Sequence, residues 1–192
     1  MELLLWRWST VVQAGSSLLI ALFFVAIAHG MRRAELRAWV WAWLVNLAAL
    51  LVTVTYYIVQ PVDPWVTRVL TATYFATKLG FAYLLFRGAD AFRGGRLSTV
   101  RGEYIVAALV AGGIASTLVT DSINLRGAIV CVLLWLGMGW TAIYLARARA
   151  ADHIWLITGL GLRSVLALIE AVAFVALHIR LENDLPVHET LQ

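Results

Sequence analysis

The 192 residues are 62% hydrophobic and only 14% charged, with a mean hydropathy of +0.84. A soluble domain has too little interior to hide that much apolar surface, whereas a multi-span membrane protein need not hide it from lipid. Net charge +4 and a pI of about 9.6 would suggest nucleic acid in a soluble protein. Here every basic residue but Lys78 is an arginine, placed mostly between apolar runs, so the charge reports topology and no nucleic-acid partner is expected.

Taken in order, six segments are long enough to cross a ~30 Å hydrocarbon core: 9–29, 39–60, 66–86, 104–121, 127–146 and 154–178. The expectation is an all-α, polytopic membrane helical bundle of about six transmembrane helices. Residues 1–180 form a single transmembrane domain and 181–192 a short polar tail. The first run is of spanning length and lacks a small-residue cleavage pattern, so no cleavable signal peptide is expected. Short connections make neighbouring helices antiparallel and packed together.

In the second span Asn46 and Thr53 are seven residues apart on one face, with Thr55, Tyr56 and Tyr57 following. Such a stripe lines a small-molecule pocket or makes ordinary interhelical hydrogen bonds, worth ~0.6 kcal/mol each. Gln13 in the first span and Thr71, Thr73 and Thr77 in the third carry the same two readings. Pro61 and Pro64 bracket the turn between spans two and three, where proline starts a helix at little cost. The fourth span contains Gly112, Gly113, Ser116, Thr117 and Thr120, small residues that let backbones approach, which places it inside the bundle. The Gly137/Gly139 and Gly159/Gly161 pairs point to further close contacts.

Lys78 in the third span and Arg163 and Glu170 in the sixth are ionisable groups at membrane depth. A charge in hydrocarbon costs at least ~2.5–3.5 kcal/mol on insertion scales, so such groups face a protein interior or a wet cavity. Arg163 and Glu170 are two helical turns apart, about 10 Å of rise, and share a face. With Asn46 the three make a candidate intramembrane polar cluster. One reading is functional: Glu170 pairs with one cation while the other awaits a ligand, proton or anion. The other is structural: one ion pair fixes helix register while Lys78 snorkels about 6 Å towards the inner interface. A Lys78–Glu170 contact is compatible with these depths and not demanded by them.

Tryptophans 6, 8, 39, 41, 43, 65, 135, 140 and 155 mostly lie near span ends and read as a headgroup-level belt. Trp135 and Trp140 are deeper and leave open a pigment or lipid wall. His29, His153, His178 and His188 fall at span ends or in the tail, which argues against two axial haem ligands. The lone Cys131 excludes an internal disulfide or a CxxC site, and no motif for zinc, calcium, phosphate or a nucleophile elbow is present. The expectation is therefore no enzyme, no metal and no cofactor.

The loops after spans one, three and five hold nine arginines: Arg32, Arg33, Arg37, Arg87, Arg93, Arg96, Arg101, Arg147 and Arg149. Arg7, Arg68, Arg126 and Arg180 lie on the other side. That bias puts the odd-numbered loops in the cytoplasm and both termini outside, in the inner membrane of a bacterium. The 93–101 loop is basic and glycine-containing, either a solvated inner loop or one that touches anionic headgroups or a partner.

Two stretches carry a family likeness. HGMRRAELRAWVWAWLVNLAALL has an arginine cluster followed by a Trp-Ala-Trp-Leu entry to the second span, and FAYLLFRGADAFRGGRLS is an arginine- and glycine-rich exit from the third. Through Arg32, Arg33, Trp41, Trp43, Arg87, Phe92 and Arg96, roughly residues 20–100 resemble the multi-span N-terminal sensor regions that precede histidine kinase or GGDEF diguanylate cyclase output domains in bacteria. The resemblance implies a non-catalytic module that passes a signal across the membrane and supplies no ligand residues. Such modules end in the cytoplasm, and six spans that start outside finish outside. A fused output domain would need a seventh span; otherwise the chain passes its signal to a partner.

The leading expectation is thus a sensory, signal-transducing membrane module working through helix packing around the charged cluster. Its partners are the lipid bilayer and either a second copy or a partner membrane protein. The alternatives are a small-solute or ion transporter, and a lipid- or pigment-binding accessory subunit of a larger complex. Against transport stands the lack of an inverted repeat or of paired broken helices.

Overall fold

A computed structural model describes residues 15–23, 25–26, 29, 34–92, 102–120, 122–147 and 154–184. The expectations for Trp6, Arg7, Trp8, Gln13, Arg32, Arg33, the 93–101 loop, Arg149, His153 and the 185–192 tail lie outside the described residues. Helix α1 covers 15–23. It is followed by α2 (Ala34–Val59), α3 (Pro64–Phe92), α4 (Gly102–Val119), α5 (Ile123–Ala146) and α6 (Ile154–Asp184). Among the described residues there is no strand.

Among the described residues, four helical stretches are long and apolar enough to cross a membrane: Leu36–Tyr56, Pro64–Phe92, Asn124–Ala146 and Ile154–Arg180. The hydropathy pattern predicts six. The 18 residues of α4 rise about 27 Å, just under the hydrocarbon thickness, and the described part of α1 is shorter still.

The turn between α2 and α3 has local causes. Gln60 adopts φ 43°, and its N–H still reaches the Tyr56 carbonyl at 2.9 Å, which closes the last turn of α2. Pro61 then offers no N–H to continue the ladder. Asp63 opens α3 by accepting the Trp65 N–H at 2.8 Å, with Pro64 in the first helical position where its missing donor is harmless.

The chain divides into two compact units, Met1–Ala115 and Ser116–Gln192. In the first, α2 packs along α3. Buried Leu36, Trp39, Ala42, Asn46 and Ala49 recur at helical spacing on one face of α2. They meet the buried face of α3 that carries Phe75, Lys78, Phe81, Leu85 and Gly88. The Trp43 ring packs tilted against Phe81 with centroids 5.4 Å apart, and Trp39 against Phe92 at 5.8 Å. A Cβ at Gly88 would overlap the Trp39 indole, so only glycine admits that ring. Trp39 is therefore a core residue, 4% exposed, and leaves the predicted headgroup belt. α3 runs six residues past its predicted end because Gly88 and Phe92 are packed, while Arg87 folds back to 5.9 Å from the Tyr83 ring.

The predicted close approach of the fourth span occurs at Gly113, where an added Cβ would lie 2.6 Å from the Ala72 carbonyl oxygen of α3. Ile114 and Leu118 of the same helix are exposed. A carbonyl oxygen in a helix backbone cannot swing away. Gly113→Val is accordingly expected to cost about 1–3 kcal/mol or more through overpacking, read as a lowered unfolding midpoint in detergent.

In the second unit, α5 packs along α6. Val130, Leu134, Met138, Thr141 and Leu145 make the buried seam of α5. Opposite them, α6 offers Leu160, Ser164, Ala167 and Ala171, mostly small side chains that bring the backbones close. Ser164 Oγ crosses the seam to donate to the Trp135 carbonyl at 2.9 Å, and a Cβ on Gly139 would sit 3.0 Å from that hydroxyl. Gly139 is thus a close contact as predicted. Gly159 and Gly161 are not: nothing lies within 4 Å of a Cβ at either position.

Candidate functional site

The threonines of the apolar helices turn inward on their own backbone. Thr53 donates to the Ala49 carbonyl at 3.1 Å, Thr55 to Leu51 at 2.9 Å, Thr73 to Val69 at 2.8 Å and Thr77 to Thr73 at 2.8 Å; Thr71 similarly reaches Thr67. Each hydroxyl has a carbonyl one turn back within reach, so it is satisfied without a neighbouring helix. The interhelical bonds expected of this stripe are made by Asn46 instead.

Asn46 is 8% exposed and stands at the midpoint of the apolar stretch Leu36–Tyr56. Lys78 is 7% exposed and stands at the midpoint of α3. The Lys78 ammonium donates to Asn46 Oδ1 at 2.9 Å, and Asn46 Nδ2 donates to Ser17 Oγ of α1 at 3.3 Å. An ammonium has only donors, so it turns the carboxamide oxygen towards itself and leaves the NH2 for the serine. One polar chain therefore ties α1 to the midpoints of α2 and α3. The Tyr74 ring, 5.7 Å from Lys78 Nζ, adds a cation–π contact. Lys78 does not snorkel to a helix end; it is held where it stands.

Arg163 and Glu170 meet along α6 as their spacing predicts. Nη1 lies 3.3 Å from Oε1 and Nη2 3.4 Å from Oε2, a two-pronged pairing. The middle of Ile154–Arg180 falls between them, so the pair straddles the centre of the helix. Their side chains are 36% and 44% exposed, and they border the packed residues Ser164 and Ala171. From α5, the Cys131 thiol donates to Glu170 Oε2 at 3.8 Å. Of the four predicted cluster residues, Lys78 joins Asn46 within the first unit, and Arg163 joins Glu170 within the second.

One polar centre was not anticipated. Arg126, counted above as a loop charge, is 3% exposed in the first turns of α5. Its Nε donates to the Thr120 carbonyl at 2.6 Å and its Nη2 to the Thr117 carbonyl at 3.1 Å, which satisfies orphan acceptors at the C-terminal end of α4. Ser122 caps α5 by accepting the Leu125 N–H, and its hydroxyl also lies 3.1 Å from His178 Nδ1 of α6. The cap starts α5 four residues before the predicted span. An apolar run bounded by Ser122 with an arginine four residues later was the available signal.

Among the described residues, no group of three His, Cys, Asp or Glu side chains is placed to hold a metal. Compared with known proteins, the chain matches no family model, no curated protein and no solved structure.

Proposed function

We propose that the chain is a non-catalytic module of a bacterial inner membrane, crossing it about six times with both termini outside, that transduces a signal through helix packing. The observation that carries this reading is the Lys78–Asn46–Ser17 chain, with Lys78 and Asn46 at the middle of their helices. Depriving a buried ammonium of its partner in hydrocarbon costs several kcal/mol, so a stimulus that competes for Lys78 shifts the balance between two packings of α1, α2 and α3. The likeness of residues 20–100 to kinase and cyclase sensor regions supports the same reading. The receiver is an output domain beyond a further span, a partner membrane protein or a second copy.

The test has two arms. Crosslinking in native membranes is expected to capture a signalling partner or a second copy in an amount that changes at least severalfold in Lys78→Met, at unchanged membrane abundance. Proteoliposomes containing the chain are expected to show no more proton or ion flux than empty vesicles. Flux that Lys78→Met or Glu170→Gln abolishes would overturn signalling in favour of transport.

A further inference from the structure

At one end of the first unit two helical segments present matching pairs of side chains. Val25 and His29, in the helical residues that follow α1, are four apart, and so are Arg37 and Trp41 of α2. Arg37 and Trp41 therefore share a face of α2. Together with Val40 these residues line an open cavity of about 230 Å³. In both pairs the member nearer the α1–α2 connection bears the polar group, His29 or Arg37. The other member, four positions farther from the connection, is apolar: Val25 or Trp41. The cavity is thus cationic at its connection end and apolar at its mid-helix end.

That gradient has the polarity of a lipid. A guanidinium presents a planar fork of donors that matches phosphate oxygens, and the imidazole adds a further donor. Indole is the side chain best suited to the boundary between headgroup and acyl chain, and Trp41 is 61% exposed beside the cavity. In sequence the connection adds Arg32 and Arg33, with Glu35 the one acidic residue between His29 and Arg37. Basic pockets between membrane helices select lipids with net negative headgroups.

We propose that this cavity binds an anionic phospholipid, with the headgroup phosphate on Arg37 and His29 and the start of an acyl chain along Val25, Val40 and Trp41. The proposal rests on the membrane-embedded reading above. The residues that make it specific, Arg37 and His29, take no part in the Lys78 centre.

The test is thermal unfolding of the full chain, purified from membranes in neutral detergent, with added phosphatidylglycerol, phosphatidylcholine or inorganic phosphate. Phosphatidylglycerol is expected to raise the midpoint by several degrees, phosphatidylcholine and phosphate to leave it unchanged, and added salt to weaken the effect. Arg37→Gln and His29→Gln are each expected to weaken phosphatidylglycerol binding about fivefold, with Arg37→Lys in between. An equal shift with phosphatidylcholine, an equal shift with inorganic phosphate, or full retention in both glutamine variants overturns the site. Fractionation is read separately: a chain found outside the membrane pellet defeats the embedded reading, whereas an embedded chain indifferent to phosphatidylglycerol defeats this proposal alone.

Discussion

Asn46→Leu is expected to be the most damaging conservative-volume change in the first unit, lowering stability by about 3 kcal/mol. The reason is asymmetry. Leucine fills the site but leaves the Lys78 ammonium without the oxygen it holds at 2.9 Å, in the middle of an apolar helix. Lys78→Met removes the charge itself and strands only a carboxamide oxygen, a cost of about 1 kcal/mol. The double variant Lys78→Met/Asn46→Leu leaves neither group behind and is expected to recover to within about 1 kcal/mol of the parent. Unfolding of the four proteins in mixed micelles gives the comparison. If Lys78→Met proves as harmful as Asn46→Leu, the ammonium is not the group that needs its partner.

In the second unit the corresponding effect falls on α6. Glu170→Leu removes the carboxylate that meets Arg163 in two places and strands a guanidinium near the centre of a helix long enough to span the bilayer. The expected loss is about 2–3 kcal/mol, held below the full burial penalty because both side chains are partly exposed and the arginine stem can carry its charge outward. Arg163→Leu/Glu170→Leu is expected to match or exceed the parent in stability, since a pair replaced whole by apolar groups gives up little. A double variant no better than Glu170→Leu would show that the residues act separately.

Which parts of this were legible in the sequence follows from what lipid does to patterning. Length and hydropathy mark α2, α3, α5 and α6 as spanning elements because those quantities concern single helices. The spacing of Arg163 and Glu170 also sufficed, as both lie on one helix. Hydropathy does not say which face of a membrane helix meets protein, because acyl chains and helix seams are about equally apolar. Trp39 therefore read as a belt residue when its partner is Gly88, 49 positions away. Arg126 read as a loop charge because the carbonyls it satisfies lie in and just past the end of the preceding helix. A usable signal did exist: Ala42 and Ala49 flank Asn46 at helical spacing, and small residues around one polar group mark the packed face of α2. The same logic applied to Gly159 and Gly161 fails, since glycine alone, without a polar or bulky partner in register, marks no contact.

The single sulfhydryl, on Cys131, has a practical consequence. It is the chain's one cysteine, 3% exposed, and sits against Glu170 where α5 meets α6. A maleimide reaches that sulfur only when the two helices part, so its rate of labelling measures how often they separate in the untouched protein. No engineered reporter is required, and a stimulus that loosens or tightens this seam announces itself as a faster or slower reaction.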